Sequence, residues 1–250
     1  MSEFIFGIRP VLEAINAGQE IDKVLVRQNM TGDLSVELMA ALRRNKINIQ
    51  YVPAEKLDKI TRRNHQGVVA YISPVSYQSL ENVVMSAFEE GRTPIVVILD
   101  GITDVRNFGA IARTCECAGV TAIVIPETNS ARITEDAIKT SAGALYNIPV
   151  CREKNLVDSV LFLQQSGFKV YAATEKTENV VYNEDFSHPT ALIMGAEDLG
   201  VSKTMQKRAD KLIKIPMFGK TESLNVSVST AVLVYEVVRQ QSASKKNDVK

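Results

Sequence analysis

The sequence predicts an α/β protein, with a parallel sheet layered between helices in its larger carboxyl-terminal part and a small α/β unit before it. Three observations predict this. Continuous apolar runs recur at 95–100, 122–125, 169–173, 191–194 and 212–215, as in strands covered on both faces. Segments with helical character separate these runs, and that alternation makes successive strands parallel. Residues 1–75 alternate the same two signals on a smaller scale.

In the first unit, Pro10 sits in a first helical turn, Val11, Leu12 and Ile15 repeat at helical spacing, and Gly18 ends the run. Residues 23–26 read as a strand. Leu34, Leu38, Met39 and Leu42 give a helix with a basic end at Arg43, Arg44 and Lys46. Residues 47–52 and 68–72 are two further strands. The Ser-Pro-Val-Ser-Tyr-Gln-Ser stretch at 73–79 reads as a linker, and a helix follows over 80–90. The expected organisation is a unit at 1–75, a linker and connecting helix at 76–92, a larger domain at 93–240, and a polar, frayed tail at 241–250.

The formal net charge is zero, which argues against binding of nucleic acid by bulk charge alone and leaves room for a local basic face. Three cysteines include one Cys-x-Cys, Cys115 and Cys117, and the two histidines have no ligand spacing to them, so no metal site is expected. The odd thiol count and a start without a secretory pattern point to the cytoplasm. No segment approaches a membrane span.

The stretch Ile215-Pro216-Met217-Phe218-Gly219-Lys220-Thr221-Glu222-Ser223-Leu224-Asn225-Val226-Ser227-Val228 places polar residues between a short strand and a long apolar helix. Gly219-Lys220-Thr221 imitates the end of a phosphate loop, but Lys214 stands where its first glycine is required. No Gly-x-Gly-x-x-Gly follows the strand at 95–100. Two other segments carry polar groups just after strands: Asn107-Phe108-Gly109-Ala110-Ile111-Ala112-Arg113-Thr114 and Met194-Gly195-Ala196-Glu197-Asp198-Leu199-Gly200. Ligands of open α/β sheets collect outside the carboxyl ends of the strands, so the three segments can converge. Each has a plainer reading as well: Asn107 as a helix cap, Glu197 as a solvated carboxylate, Ser223 and Asn225 as helix-start residues.

Taken in order, these three segments resemble the motifs of the SpoU/TrmH family of RNA ribose 2′-O-methyltransferases, within the SPOUT class. Phe6-Gly7-Ile8-Arg9-Pro10-Val11-Leu12-Glu13-Ala14 and His65-Gln66-Gly67-Val68 resemble the RNA-binding extension of the branch that contains the 23S ribosomal RNA guanosine-2′-O-methyltransferases. Val105 replaces the proline usual before Arg-Asn, and Asp198 replaces a frequent glycine after Glu197.

The resemblance implies a parallel α/β domain whose last segment is threaded as a trefoil knot, a homodimer, and methyl transfer from S-adenosylmethionine to a guanosine 2′-hydroxyl. It places Gly195, Ile215 and Leu224 around the cofactor, largely through backbone atoms, with Thr174 and Met217 lining the same pocket. Arg113 is expected to grip the adjoining phosphate and stabilise developing alkoxide charge, since a guanidinium stays protonated. Glu197 is expected to orient, and Asn107, Ser223 and Asn225 to contact substrate. The RNA face is expected to include Arg62, Arg63 and His65, and the Arg43–Arg44 cluster. The last helix, apolar on nearly every side, has to be buried in a core or at the dimer interface. A transfer-RNA 2′-O-methyltransferase and a non-catalytic RNA-binding or ribosome assembly factor on the same fold are the alternatives. The amino-terminal extension argues against the first and the intact polar motif residues against the second.

Overall fold

The structure is a computed structural model, and it describes residues 4–247. These fall into two compact units: residues up to 76 together with 132–135, and the remainder.

In the first unit, β1 (Phe4–Phe6), α1 (Ile8–Asn16), β2 (Ile21–Arg27), α2 (Asp33–Arg44), β3 (Ile49–Val52), α3 (Ala54–Ile60) and β4 (Val68–Ile72) build a mixed four-stranded sheet in the order β1-β4-β2-β3. The strand period of two divides its core. Val24, Val26, Val68 and Ala70 pack with Val11, Ile15, Leu38 and Leu42 of α1 and α2 on one face. Leu25, Val52 and Val69 pack with Leu57 of α3 on the other. Strand β1 and helix α3 were not legible as apolar runs: the strand has three residues and the helix buries only Leu57.

The two amino-terminal phrases prove to be one structural piece. Strand β1 pairs with β4, the Gly7 N–H donates to the Val68 carbonyl, and Gln66 Oε1 accepts the Ile8 N–H at 3.0 Å. Gly7 has φ +91°, and a Cβ there would stand 3.3 Å from Gln66 Oε1. The phrase therefore caps α1, whose capping residue has no side chain of its own.

The second unit contains α4 (Leu80–Glu89), β5 (Ile95–Asp100), α5 (Val105–Cys117), β6 (Ala122–Pro126), α6 (Glu135–Thr140), β7 (Val150–Glu153), α7 (Leu156–Gln165), β8 (Lys169–Ala173), β9 (Thr190–Gly195), α8 (Lys203–Arg208), β10 (Lys211–Ile213) and α9 (Val226–Asn247). Its six strands are all parallel, in the order β10-β8-β9-β5-β6-β7. Edge strand β7, four residues bounded by Pro149 and a polar end, escaped the apolar-run signal. Val96, Ile98, Val124, Val170 and Ile193 meet α4, α7 and α8 on one face. Alternate residues such as Val97, Ile123 and Leu192 are equally buried, and α5 and α9 pack together on the opposite side, with α9 against β9. Helix α4, read from sequence as a connector, thus belongs to this core. Helix α9 runs on to Asn247 rather than fraying after residue 240. Residues 248–250 of the expected tail lie outside the described residues.

Candidate functional site

The chain leaves β5 and crosses to β6 and β7, then returns to build β8 and β9 on the other side of β5. Such a reversal opens a crevice outside the carboxyl ends of the two strands flanking it. Here those strands are β5 and β9, paired at their ends as Asp100 with Gly195. A cavity of about 510 Å³ lies there, lined by residues that include Asp100, Asp104, Asn107, Asn129, Glu197 and Ser202.

Beyond β9 the chain folds back at once. The Gly200 N–H donates to the Ala196 carbonyl at 2.8 Å, and Asp100 Oδ2 accepts the Ser202 N–H at 2.8 Å, tying the loop to β5. A Cβ on Gly195 would lie 2.0 Å from the Gly200 carbonyl carbon and from the Val201 nitrogen. Only glycine permits this approach, so the residue expected near the cofactor has a packing role of its own.

Helix α5 begins at Asp104, whose side chain accepts the Asn107 N–H at 2.7 Å. The capping role that the sequence offers Asn107 therefore belongs to Asp104, three residues earlier and recognisable as an Asp before the first helical turn. Asn107 lies in that turn with its side chain free for other partners. Gly109 lets α5 approach the following segment, because a Cβ there would be 2.8 Å from Thr140 Cβ and 2.9 Å from the Ala137 carbonyl.

From β10 the chain must cross over the ends of β8 and β9 to reach β5, a span of about 14 Å at normal strand spacing. It does so between Lys214 and Asn225. Asn225 then starts α9: its Oδ1 accepts the Ser227 N–H at 2.9 Å and the Ser227 hydroxyl. With the carbonyl oxygen so engaged, the amide Nδ2 points into the site, where it donates to Asn107 Oδ1 at 3.0 Å and to Glu197 Oε1. One side chain thus joins all three motif segments. Asp104, which orients Asn107, was not singled out in the sequence, whereas Ser227 closes the third motif.

Arg113 and Ser223 are not part of this cluster. Six residues of helix carry Arg113 about 9 Å along α5 and about 120° around it from Asn107. It is exposed and has no ion-pair partner among the described residues. Ser223 is exposed in the crossing segment.

The residues expected to hold a cofactor lie at the ends of three neighbouring strands: Thr174 after β8, Gly195 on β9, Ile215 after β10. Thr174 is buried, and its N–H is spent on the Ile213 carbonyl. The main-chain groups of Ile215, Met217 and Leu224 carry no hydrogen bond among the described residues. They are partly or fully exposed. Unengaged amides and carbonyls beside apolar side chains are the donor set that reads a planar heterocycle edge, so these residues fit the group expected there.

In the first unit, Arg43 and Arg44 are exposed in the last turn of α2, and Arg62 and Arg63 are exposed after α3. The expectation for His65 meets a different use. Its Nδ1 accepts the Gly67 N–H at 2.9 Å and its Nε2 stands 2.9 Å from Asp58 Oδ1. Both ring nitrogens are occupied in forming the turn into β4, where Gln66 and Gly67 have positive φ.

Residues 94–235 match the SpoU rRNA methylase family, and residues 4–78 match the family described as RNA 2′-O ribose methyltransferase substrate binding. A protein of Staphylococcus saprophyticus assigned to the TrmH family of tRNA/rRNA methyltransferases is 35% identical over 239 residues, covering 95% of this chain and 96% of its own. A Bacillus subtilis protein with the same assignment is 32% identical over 96% of each chain. Among solved structures, the SpoU methyltransferase AviRb of Streptomyces viridochromogenes, in complex with its cofactor AdoMet, shares the fold with a TM-score of 0.60. It is 23% identical, covering 96% of this chain and 90% of its own. The TrmH/SpoU tRNA modifying enzyme of A. aeolicus is 29% identical with a TM-score of 0.56, covering 65% of this chain and 86% of its own.

Proposed function

The chain belongs to the SpoU rRNA methylase family, and from that premise we propose that it methylates the ribose 2′-hydroxyl of a guanosine in 23S ribosomal RNA, with S-adenosylmethionine as methyl donor. Its class is RNA 2′-O-ribose methyltransferase. The observation that carries the assignment of the site is the Asn225 side chain, which bonds Asn107 and Glu197 at the carboxyl ends of β5 and β9. A fixed polar cluster beside an open cavity at the sheet's reversal point is what an alignment-dependent transfer requires, since positioning supplies much of the acceleration.

S-adenosylmethionine, when bound, supplies an electrophilic methyl group on a sulfonium. Ile215, Leu224 and Met217 would hold it through main-chain atoms, with Gly195 and Thr174 closing the adjoining strand ends. Asn225 keeps Glu197 oriented through one carboxylate oxygen and leaves the other for the ribose or a water. Arg113, exposed and unpaired, would grip the phosphate next to the target ribose and stabilise the negative charge that develops on the 2′-oxygen. Ser223 contacts the ribose.

The substrate-binding match at residues 4–78 supports ribosomal RNA over transfer RNA, because the tRNA modifying enzyme of A. aeolicus covers only 65% of this chain. Residues 1–75 are the RNA-binding unit in this reading, with Arg62, Arg63, Arg43 and Arg44 on its RNA face, and 93–240 the catalytic domain. The crossing of the segment 214–225 over β8 and β9 supports the trefoil knot. Val228 and Tyr235, seven residues apart on one face of α9 and 46% and 50% exposed, support a homodimer through that helix. Three free cysteines suit a reducing cytoplasm. Among the described residues no helix is long and apolar enough to cross a membrane.

The deciding experiment maps 2′-O-methyl marks across ribosomal and transfer RNA in cells with and without the protein. Loss of one guanosine mark from 23S RNA is expected. Loss from transfer RNA alone would overturn the ribosomal assignment, and an unchanged map would overturn the enzyme's proposed target class altogether.

A further inference from the structure

We propose that Lys23 and Arg132, both set over the Tyr71 ring on one face of the first unit's sheet, form a binding site for the phosphate backbone of RNA together with Lys56 of α3, the helix packed on that face. The proposal rests on the reading of the chain as an RNA-modifying enzyme and names where that RNA is held.

The sheet register builds the site. Lys23 on β2 and Phe4 on β1 both stand opposite Tyr71 on β4. With a period of two, Lys23 and Tyr71 share the face of Leu25 and Val69. There Leu25, Val52, Leu57 and Val69 are fully covered, whereas Tyr71 at the margin is only half-buried. Two cations use its ring: Lys23 Nζ lies 5.5 Å from the centroid and Arg132 Cζ lies 4.4 Å from it. Arg132 belongs to the short segment 132–135 that packs with this unit. Lys56 lies in α3, the helix whose Leu57 packs on this same face of the sheet. The Lys23 ammonium is held below its ordinary pKa first by burial, then by Arg132 and Lys56, with Asp22 opposing.

Ion pairing within the unit does not account for this grouping. None of the three cations forms an ion pair among the described residues. Lys56 is exposed in the first turn of α3, the helix end whose dipole disfavours a cation. Arg43 and Arg44 differ on this point, because they sit in the last turn of α2, where the dipole favours them without any ligand. Lys23 and Arg132 bring two like charges to one ring, and Lys56 adds a third on the same face of the sheet. A run of phosphates answers all three at once, and the stacked guanidinium adds the planar donor fork suited to phosphate oxygens.

The test compares the full-length protein with a Lys23→Gln, Lys56→Gln, Arg132→Gln variant for binding to transcribed 23S RNA across a salt titration. Each lost phosphate contact lowers the slope of log K against log salt by about 0.7 to 0.9. The triple variant should therefore lose about two units of slope, and on the order of a hundredfold in affinity at 0.15 M salt. KM for RNA should rise with kcat preserved, and calorimetric S-adenosylmethionine binding should be unchanged. The charge-preserving variant Lys23→Arg, Arg132→Lys should retain the parental slope. Parental slope and affinity in the triple variant, or equal loss in the charge-preserving one, would overturn the proposal. Failure of the parent protein itself to bind RNA would instead overturn the functional reading beneath it.

Discussion

At the scale of single residues, the site turns on one carboxamide. Asn225 can donate to both Asn107 and Glu197 because Ser227 occupies its carbonyl oxygen. Asn225→Asp replaces that donor by a second carboxylate facing Glu197. Methyl transfer should fall by about a hundredfold or more, the size of effect that misplacing a reacting group produces. Single-turnover assays at saturating cofactor would report this, and a parental rate would remove Asn225 from the machinery. Gly195 illustrates a different constraint. An added methyl would enter the Gly200–Val201 backbone, which cannot yield as a side chain would. Gly195→Ala should cost about 3 kcal/mol or more. In a chain of this length that lowers the melting temperature by roughly 6–12 °C, measurable by calorimetry.

At the scale of elements, helix starts do the positioning. Asp104 caps α5 and thereby fixes the turn that carries Asn107. Asp104→Ala should cost about 1 kcal/mol and also lower kcat. A stability loss with an untouched kcat would mean that the cap serves the helix and not the site. Within the far part of α9, Glu236 accepts from Arg239 at 2.8 Å and from Gln240 at 2.7 Å. The hydrogen bonds from Arg239, and then from Gln240, hold this carboxyl below its ordinary pKa. A lowered folded-state pKa gives stability that is present above the unfolded value and lost as pH falls through the folded one. Glu236→Gln should therefore be less stable than the parent at pH 7, with the gap closing below about pH 4. Urea unfolding at pH 7 and pH 3 checks the sign, and a gap that widens on acidification would contradict it.

At the scale of the whole molecule, burial sorts the three free thiols. Cys115 and Cys151 are buried and Cys117 is exposed. Burial pushes the Cys151 thiol up to about 12, with Glu153 and Glu81 adding to the shift, and pushes Cys115 up as well. The thiolate is the reactive form, so a colourimetric thiol reagent at pH 8 should find one rapid equivalent in the folded protein and three after unfolding. Two or three rapid equivalents would show that the parallel sheet and α5 do not pack as described. The same packing explains why the parallel sheet could be read from apolar runs: strands covered on both faces have no polar side to interrupt the signal.

The sequence by itself determined the alternation of strands and helices, the four buried runs in the interior of the sheet with the short edge run at 212–215, and the three polar segments at strand ends. These are local properties, set by side-chain type and period. It could not determine β1 or β7, whose three or four residues give periodicity too little length, or which aspartate caps α5. Nor could it show that His65 is consumed by Asp58 and the Gly67 amide. Only the tertiary structure decided that Asn107, Glu197 and Asn225 meet while Arg113 stands apart. Those residues are 28 to 118 positions distant in the chain. What brings them together is the strand order and the crossing of 214–225 over the sheet, which no local spacing encodes.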